Sequence, residues 1–333
     1  MTRVCICGGG SLAHVCAGVL SSQENVEVRV FTRKPERWSK QLKVTDLDGK
    51  VYEGNLVCVS NDVEETTKCC DIILLCLPGY AIESMLTQIK PHVGEAVVGS
   101  VVSSTGFFFA ARRILGEDAR LFGFQRVPYI ARTVEYGHSA NLLGYKPLLA
   151  IAAENVENKE AFRQTIERLW NTPVKLLATH YEVSLTNSNP ILHTGRLYSM
   201  WKNWDGAVYD HNILFYKEWT IEAAQMLIEM DAEFMKLLDV LPVNKDAVPS
   251  LLEYYESHDA QSLCDKLRSI PAFQNITSPM KEVNGGWIPD FESRYFTEDF
   301  PFGLKFIVDL AKENHIDCPV LEKVLAWGIS KCK

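Results

Sequence analysis

Arg3-Val4-Cys5-Ile6-Cys7-Gly8-Gly9-Gly10-Ser11-Leu12-Ala13 decides the fold of this chain. Residues 3–7 form a short apolar run of the kind that makes a buried strand. The glycines follow at once, and residues 12–20 continue as an apolar helical pattern. Strand, Gly-x-Gly-x-x-Ala, helix is the order of a dinucleotide-binding βαβ unit. Gly8 allows the tight turn, and Gly10 lets the backbone approach a pyrophosphate. Ala13 lets the helix pack closely on the strand. Ser11 and Leu12 begin the helix, whose N-terminal N–H groups and dipole favour an anion. Gly8, Gly10, Ser11, Leu12 and Ala13 are therefore the residues expected to hold a dinucleotide. A glycine turn is a weak sign alone. Its weight comes from standing directly after a strand and before a helix.

Outward from this unit, strands and helices keep alternating. Residues 26–31 read as a β-branched strand, and 43–60 as short strands about the Asp48-Gly49 hairpin turn. Strands are predicted at 71–77, 96–102, 120–123, 147–153 and 174–177, with helices at 80–89, 105–115 and 159–170. This is the pattern of a Rossmann-type, doubly wound parallel sheet, whose ligand lies beyond the carboxyl ends of the strands. Pro78 stands at one such end and is expected beside a nicotinamide, with a turn free of ligand as the alternative. The second strand ends Val30-Phe31-Thr32-Arg33-Lys34, with no acid to bind a ribose 2′-hydroxyl. Arg33 there suits the 2′-phosphate of NADP(H), and Thr32 adds a hydroxyl contact. NADP(H) is favoured on this ground and NAD(H) is the alternative, since Arg33 and Lys34 also suit an ordinary solvated turn.

From about residue 180 the texture turns helical, with segments at 188–201, 218–241, 247–255, 260–268, 303–313 and 319–330. The expected organisation is an α/β dinucleotide-binding domain over 1–178, then an all-helical domain over 179–333. The boundary is a change of pattern with no flexible linker.

At 333 residues the chain can bury two cores. A net charge of −8 without a long basic stripe argues against a nucleic-acid partner. No apolar run approaches a membrane span, and no signal segment precedes the first strand. The ten cysteines show neither disulfide nor zinc spacing, which points to reduced thiols in the cytoplasm. The histidines show no metal-ligand spacing.

Two stretches of the helical half carry chemistry. The first is N-G-G-W-I-P-D-F-E-S-R-Y-F-T-E-D-F-P-F-G at 284–303, read as a loop running into a helix. It gathers aromatic rings around Arg294, a planar fork suited to a carboxylate, and Asp299 just before Pro301. The second is Asn187-Ser188-Asn189-Pro190-Ile191-Leu192-His193, where Asn189 and His193 share a helical face. Each has a plainer alternative. His193 could be structural, Asp299 could be a helix N-cap, and Arg294 could pair with Glu292 or Glu298.

The 284–304 stretch closely resembles the C-terminal signature of the opine dehydrogenases, the octopine/nopaline dehydrogenase family, G-G-x-x-P-D-F-x-S-R-Y-F-x-E-D-x-P-F-G-L. The 187–193 stretch resembles the family's N-x-x-P-x-x-H segment. The resemblance assigns the general acid/base to His193, its paired carboxylate to Asp299 and the substrate-carboxylate arginine to Arg294. Asn189 joins the substrate-binding set, with Glu298 as the second choice of acid. Gln125, in Gln125-Arg126-Val127-Pro128, resembles a Q-x-x-P segment near the keto-acid end of the cleft. The tryptophan that usually follows that proline is Tyr129 here, a departure bearing on the keto-acid pocket. Trp201, Trp204, Tyr209 and Trp287 are candidates to line an amino-acid pocket, or else core; His14 is read as packing.

The resemblance implies a nicotinamide-dependent oxidoreductase that joins the amine of an amino acid to an α-keto acid and reduces the imine. Amine deprotonation and loss of water call for a group titrating near neutrality, which an imidazole supplies. The two domains are expected to face each other across a cleft that excludes water. Small molecules are the expected partners, with no membrane or nucleic acid and a homodimer as the assembly considered. Ketopantoate reductase shares the layout but relies on a lysine acid, where this chain presents His193. A dinucleotide-sensing protein without turnover is the rival from another class.

Overall fold

A computed structural model describes residues Met1–Cys332. It divides into two compact units, Met1–Ser184 and Leu185–Lys333.

In the first unit, the elements up to the third helix run β1 (Thr2–Cys7), α1 (Ser11–Ser21), β2 (Val26–Phe31), β3 (Gln41–Asp46), β4 (Val51–Asn55), β5 (Cys58–Ser60), α2 (Val63–Thr67), β6 (Ile72–Leu75) and α3 (Gly79–Ile89). They continue with β7 (Val97–Ser100), α4 (Phe107–Leu115), β8 (Leu121–Phe124), β9 (Tyr129–Glu135), β10 (Ser139–Tyr145), β11 (Leu149–Glu154), α5 (Lys159–Trp170), β12 (Val174–Leu176) and α6 (Tyr181–Ser184). The main sheet has eight strands in the order β12-β11-β8-β7-β6-β1-β2-β5. Its centre is parallel, and Val4, Cys5, Ile6 and Cys7 of β1 are fully buried, as strands covered on both faces must be. The chain leaves β1 toward β2 on one side and returns to β6 on the other. The switch point of the sheet therefore falls at the end of β1, where the glycine turn stands.

Two features depart from the expected layout. The β11 strand pairs antiparallel with β8, so the sheet is parallel-rich rather than wholly parallel. A second sheet, β4-β3-β10-β9, lies against the opposite side of α1. That second layer explains why Ala13, His14, Val15, Cys16, Ala17, Gly18, Val19 and Leu20 are all buried: α1 is covered by sheets on two sides.

The second unit holds α7 (Thr194–Trp201), α8 (Ile221–Val240), α9 (Leu251–Tyr254), α10 (Ala260–Ser269), α11 (Arg294–Thr297), α12 (Lys305–Glu313) and α13 (Pro319–Lys331). It is helical but not all-helical. Met280–Val283 (β13) and Gly286–Pro289 (β14) pair as a hairpin about Asn284-Gly285, and β14 falls within the stretch expected to be loop. Two segments are wound as π-helices, Ser188–His193 and Asp299–Leu304. Each runs directly into an α-helix, α7 and α12 respectively. They pack on one another, and Gly303 permits it: a Cβ there would come within 3.1 Å of the Pro190 ring. A π-turn closes i→i+5 bonds, is rare, and is found frequently at functional sites.

Candidate active site

The glycine turn has the form a pyrophosphate site needs. Gly8 has φ +142°, and a Cβ on it would sit 2.5 Å from the Cys76 carbonyl oxygen at the end of β6. Only glycine fits there. Gly10 is the N-cap of α1 and supplies no side chain to its first N–H groups, and a Cβ on Gly10 would meet nothing within 4 Å. The first turn of an eleven-residue helix thus opens onto free space, as an anion requires. Ala13 is buried against the sheet. Pro78 is the N-cap of α3 and follows β6, the neighbour of β1, so its loop borders the glycine turn.

The second sheet holds this turn in place. The Ser11 hydroxyl lies 3.0 Å from that of Thr133 and accepts the Thr133 N–H. His14, read as packing, also braces the turn. Its Nε2 accepts the Gly137 N–H at 2.7 Å, which leaves Nδ1 to donate to the Gly10 carbonyl at 2.9 Å. Burial lowers the His14 pKa, which suits that neutral tautomer. Thr32 is buried, with its hydroxyl 3.3 Å from the Tyr136 phenol. Arg33 and Lys34 are exposed just past β2, and Arg37 lies over the Tyr136 ring at 4.9 Å. Leu12 is half-buried against the core of this unit.

In the second unit, the two π-segments bring together the residues singled out in sequence. His193 ends one and Asp299 begins the other. The His193 Nδ1 and Asp299 Oδ2 are 2.8 Å apart, with side-chain exposures of 14% and 17%. The pair is sheltered without being fully buried. The N-cap of this π-segment is Glu298, so the N-cap alternative does not describe Asp299. Asp299 rather than Glu298 meets the ring. Tyr295 lies tilted against the imidazole at 4.8 Å, and Phe215 meets it edge-on at 5.6 Å. The Tyr216 hydroxyl is 3.3 Å from Nε2. Burial, and then the nearby Asp299 charge, push the Tyr295 phenol up; burial pushes that of Tyr216 up further still.

Arg294 begins α11, one residue before Tyr295. It is exposed, and among the described residues it makes no ion pair with Glu292 or Glu298. Its fork is thus available to a carboxylate. Asn189 is exposed on the first π-segment. The asparagine that matches the N-x-x-P-x-x-H spacing is Asn187, and it has a structural task. It is buried and donates from Nδ2 to Asp231 Oδ1 and to the Pro249 carbonyl, both at 2.9 Å. This ties the start of the π-segment to α8. Gln125, in the first unit, spends an amide hydrogen on the Glu182 carbonyl at 2.9 Å, and Tyr129 is buried at the head of β9.

The expected aromatic pocket is only partly formed. Trp201 is core, packed on Phe291 and Phe296. Trp204 and Tyr209 line a cavity of about 310 Å³ with Lys202, Asp205 and Glu222, at the end of α7 away from His193. Neither His193, Asp299 nor Arg294 lines it. Trp287 is paired through its backbone to Tyr209.

Tyr216 was not legible in the sequence. It lies in Leu214-Phe215-Tyr216-Lys217-Glu218-Trp219, between helices, with no motif around it. Arg196 was likewise unmarked. It is buried on α7 three residues past His193, donates from Nε to the Phe215 carbonyl and from a terminal nitrogen to that of Glu218, and lies over the Trp219 ring. Desolvation brings its pKa down to about 10, which leaves it charged. No group of acidic, histidine or cysteine side chains suited to a metal occurs among the described residues.

Comparison with known proteins bears on both units. Residues 177–332 match the family described as NAD/NADP octopine/nopaline dehydrogenase, alpha-helical domain. Residues 4–104 match the family of ketopantoate reductase PanE/ApbA. The chain is 30% identical to an octopine dehydrogenase of Mizuhopecten yessoensis, over 99% of this chain and 90% of that protein. It is 29% identical to a tauropine dehydrogenase of Arabella iricolor, over 98% and 91%. An octopine dehydrogenase solved with NADH and L-arginine matches with a TM-score of 0.90 at 27% identity, over 99% of this chain and 89% of that one.

Proposed function

Because this chain belongs to the NAD/NADP octopine/nopaline dehydrogenase family, we propose that His193, Asp299 and Arg294 carry the opine dehydrogenase reaction in it. The enzyme condenses the amine of an amino acid with an α-keto acid and reduces the imine, or runs the reverse oxidation. A dinucleotide held at Gly8, Gly10, Ser11, Leu12 and Ala13, with Pro78 beside it, supplies the hydride. The remaining work is proton transfer and orientation.

The observation that carries this reading is the 2.8 Å contact between His193 Nδ1 and Asp299 Oδ2. A carboxylate on Nδ1 fixes the proton there and leaves Nε2 with a lone pair. Nε2 takes a proton from the substrate ammonium, freeing the amine to attack the keto carbon. The imidazolium so formed, stabilised by Asp299, returns the proton to the carbinolamine hydroxyl as it leaves as water. Such acid/base help is worth about 10²–10⁴-fold. Arg294 holds a substrate carboxylate through its two parallel N–H groups, and Asn189 adds a polar contact.

Arg33 and Lys34, with no acid at the end of β2, support NADPH over NADH. Ten free cysteines support a cytoplasmic enzyme, and among the described residues no helix is long and apolar enough to cross a membrane. The relatives bear different product names, so the amine partner is found by assay. The test is a matrix of amino acids against pyruvate, 2-oxoglutarate and glyoxylate, followed by loss of reduced-cofactor absorbance. We expect turnover that needs both substrates and falls at least about a hundredfold in His193→Ala, with dinucleotide affinity unchanged. Wild-type turnover in that variant ends the assignment. Dinucleotide binding with no turnover on any pair favours a sensing role, and turnover on a keto acid alone favours a simple keto-acid reductase.

A further inference from the structure

The Nε2 atom of His193, through which the proton passes, already has a partner: the Tyr216 hydroxyl at 3.3 Å. With Asp299 on Nδ1, a neutral ring carries its proton there and can only accept at Nε2. The phenol must then be the donor. Its ionisation is suppressed by burial, so the proton is present to give. No other hydrogen-bond partner of this hydroxyl is found among the described residues. Turned around to accept from a charged ring, its own O–H would be left unsatisfied in a buried place. A phenol donor at Nε2 is therefore compatible only with the ring whose single proton stays on Nδ1 beside Asp299.

Tyr216 is built into its place. Its ring stacks on Phe273 at 4.2 Å and on Trp219 at 5.8 Å. The backbone on either side is clamped by Arg196, which grips the carbonyls of Phe215 and Glu218. The Phe215 N–H is tied to the Ile276 carbonyl at 2.8 Å. Since His193 is the N-cap of α7 and Arg196 lies in its first turn, one helix aligns both the histidine and the loop that carries the tyrosine.

We propose that Tyr216 is a positioning residue of this active site: its hydroxyl donates to Nε2 of His193 in the resting enzyme, keeps the ring a neutral base, and gives up that atom to the incoming ammonium. The proposal rests on the acid/base role assigned to His193. A contact of 3.3 Å is long for an O–H donor, which suits a bond that a substrate displaces. The other titratable groups about the ring are Asp299 from the second π-segment and Tyr295 from α11, preceded there by Arg294. From α8, packed on the first π-segment, comes Asp231, whose carboxylate is taken by Asn187 and the Leu251 N–H.

Tyr216→Phe tests this, because the ring and its stacking remain. Three readouts separate positioning from mere support. The acid limb of the kcat/KM profile should move to higher pH by about half to one unit, the size of one neutral hydrogen bond. The KM for the amino acid should not rise, because the phenol no longer competes for Nε2. In the ligand-free, ¹⁵N-histidine-labelled protein, the ring identified by its loss in His193→Ala should carry its proton on Nδ1. Its Nε2 signal should then shift toward that of an unbonded lone pair when Tyr216 becomes Phe. An unmoved or lowered limb, or a wild-type ring protonated on Nε2, overturns the proposal. If His193→Ala still collapses turnover in that event, the acid/base reading stands and only the role of Tyr216 is lost. A fully active His193→Ala removes both. Unchanged circular dichroism and dinucleotide affinity certify that each variant is folded.

Discussion

Replacing Asp299 by alanine should cost activity in a way that only a coupled pair produces. The carboxylate makes one charge-assisted hydrogen bond to His193 Nδ1 at 2.8 Å, and that bond strengthens when the ring becomes cationic. A hydrogen bond to a charged group is worth about 1.5–3 kcal/mol, so its loss should lower kcat by roughly 10–150-fold. The ring itself should stay, because Tyr295 and Phe215 hold it by packing that does not involve Asp299. His193→Ala removes the acid/base altogether, and its cost is bounded by the whole of that catalysis, about 10²–10⁴-fold.

The two effects should not multiply. Asp299 acts only through the imidazole, so in a protein already lacking His193 its removal should change kcat by less than about threefold. Independent contributions would multiply the two single losses instead. The assay is steady-state turnover of both single variants and the double variant, with the best substrate pair, at a pH on the plateau of the wild-type profile. A double variant slower than His193→Ala by the full Asp299 factor would refute the pairing. So would an Asp299→Ala enzyme as fast as wild type.

Arg294→Lys should raise the KM of a carboxylate substrate by a factor matching a loss of about 1.5–3 kcal/mol, because an ammonium cannot reproduce a two-pronged contact; unchanged KM for both substrates would place Arg294 outside the site. Arg33→Ala should lower kcat/KM with NADPH far more than with NADH, and a wild-type preference for NADH untouched by the change would end the 2′-phosphate assignment. Asp231 is buried and its pKa is raised to about 6 by desolvation, against the hydrogen bonds from Leu251 and Asn187. The folded state therefore takes up this proton before the unfolded chain does. Asp231 adds stability below the ordinary carboxylate range near 3.9, and that contribution is lost as pH rises through about 6. Chemical denaturation of wild type and Asp231→Asn should thus differ in slope between these pH values, by on the order of 2–3 kcal/mol across the window; parallel curves would show that the carboxyl titrates normally.

Much of the first unit was legible because each strand of the main sheet is a short apolar run closed by a turn. The strand at 26–31 and the helix at 159–170 fall where the pattern put them. Of the second sheet, the β3-β4 hairpin about Asp48-Gly49 was read, and what escaped was its other half, β9 and β10. Its edge strand β9 turns Tyr129, Ala131 and Thr133 inward, while Ile130 and Val134 face solvent at 56% and 63% exposure. Alternation of that kind, with small or polar groups inward and β-branched groups outward, gives no amphipathic signal. The antiparallel pairing of β11 with β8 escaped for another reason. An apolar strand reads the same in either direction, and only the connection through β9 and β10 reverses the chain.

The site divides along a different line. His193, Asp299 and Arg294 lie within stretches where several chemical types recur at fixed spacing, and spacing is what a sequence displays. The meeting of His193 and Asp299 depends on two π-turns, and nothing in Ser188–His193 or Asp299–Leu304 announces i→i+5 winding except a proline in each. Tyr216 has no such spacing to any of them. Its hydroxyl reaches Nε2 because Arg196, one helical turn below His193, holds two carbonyls of a loop about twenty residues further on. A residue placed by another side chain's grip on backbone leaves no periodic trace. The same clamp makes a prediction of its own. Arg196→Met keeps most of the buried volume but frees the Phe215 and Glu218 carbonyls, so it should reproduce the raised acid limb expected of Tyr216→Phe, although Arg196 touches neither the imidazole nor, in this arrangement, any reacting atom. A limb left in place by Arg196→Met, in a folded protein, would mean that stacking on Phe273 and Trp219 suffices to hold Tyr216, and that the grip of Arg196 is not part of the device.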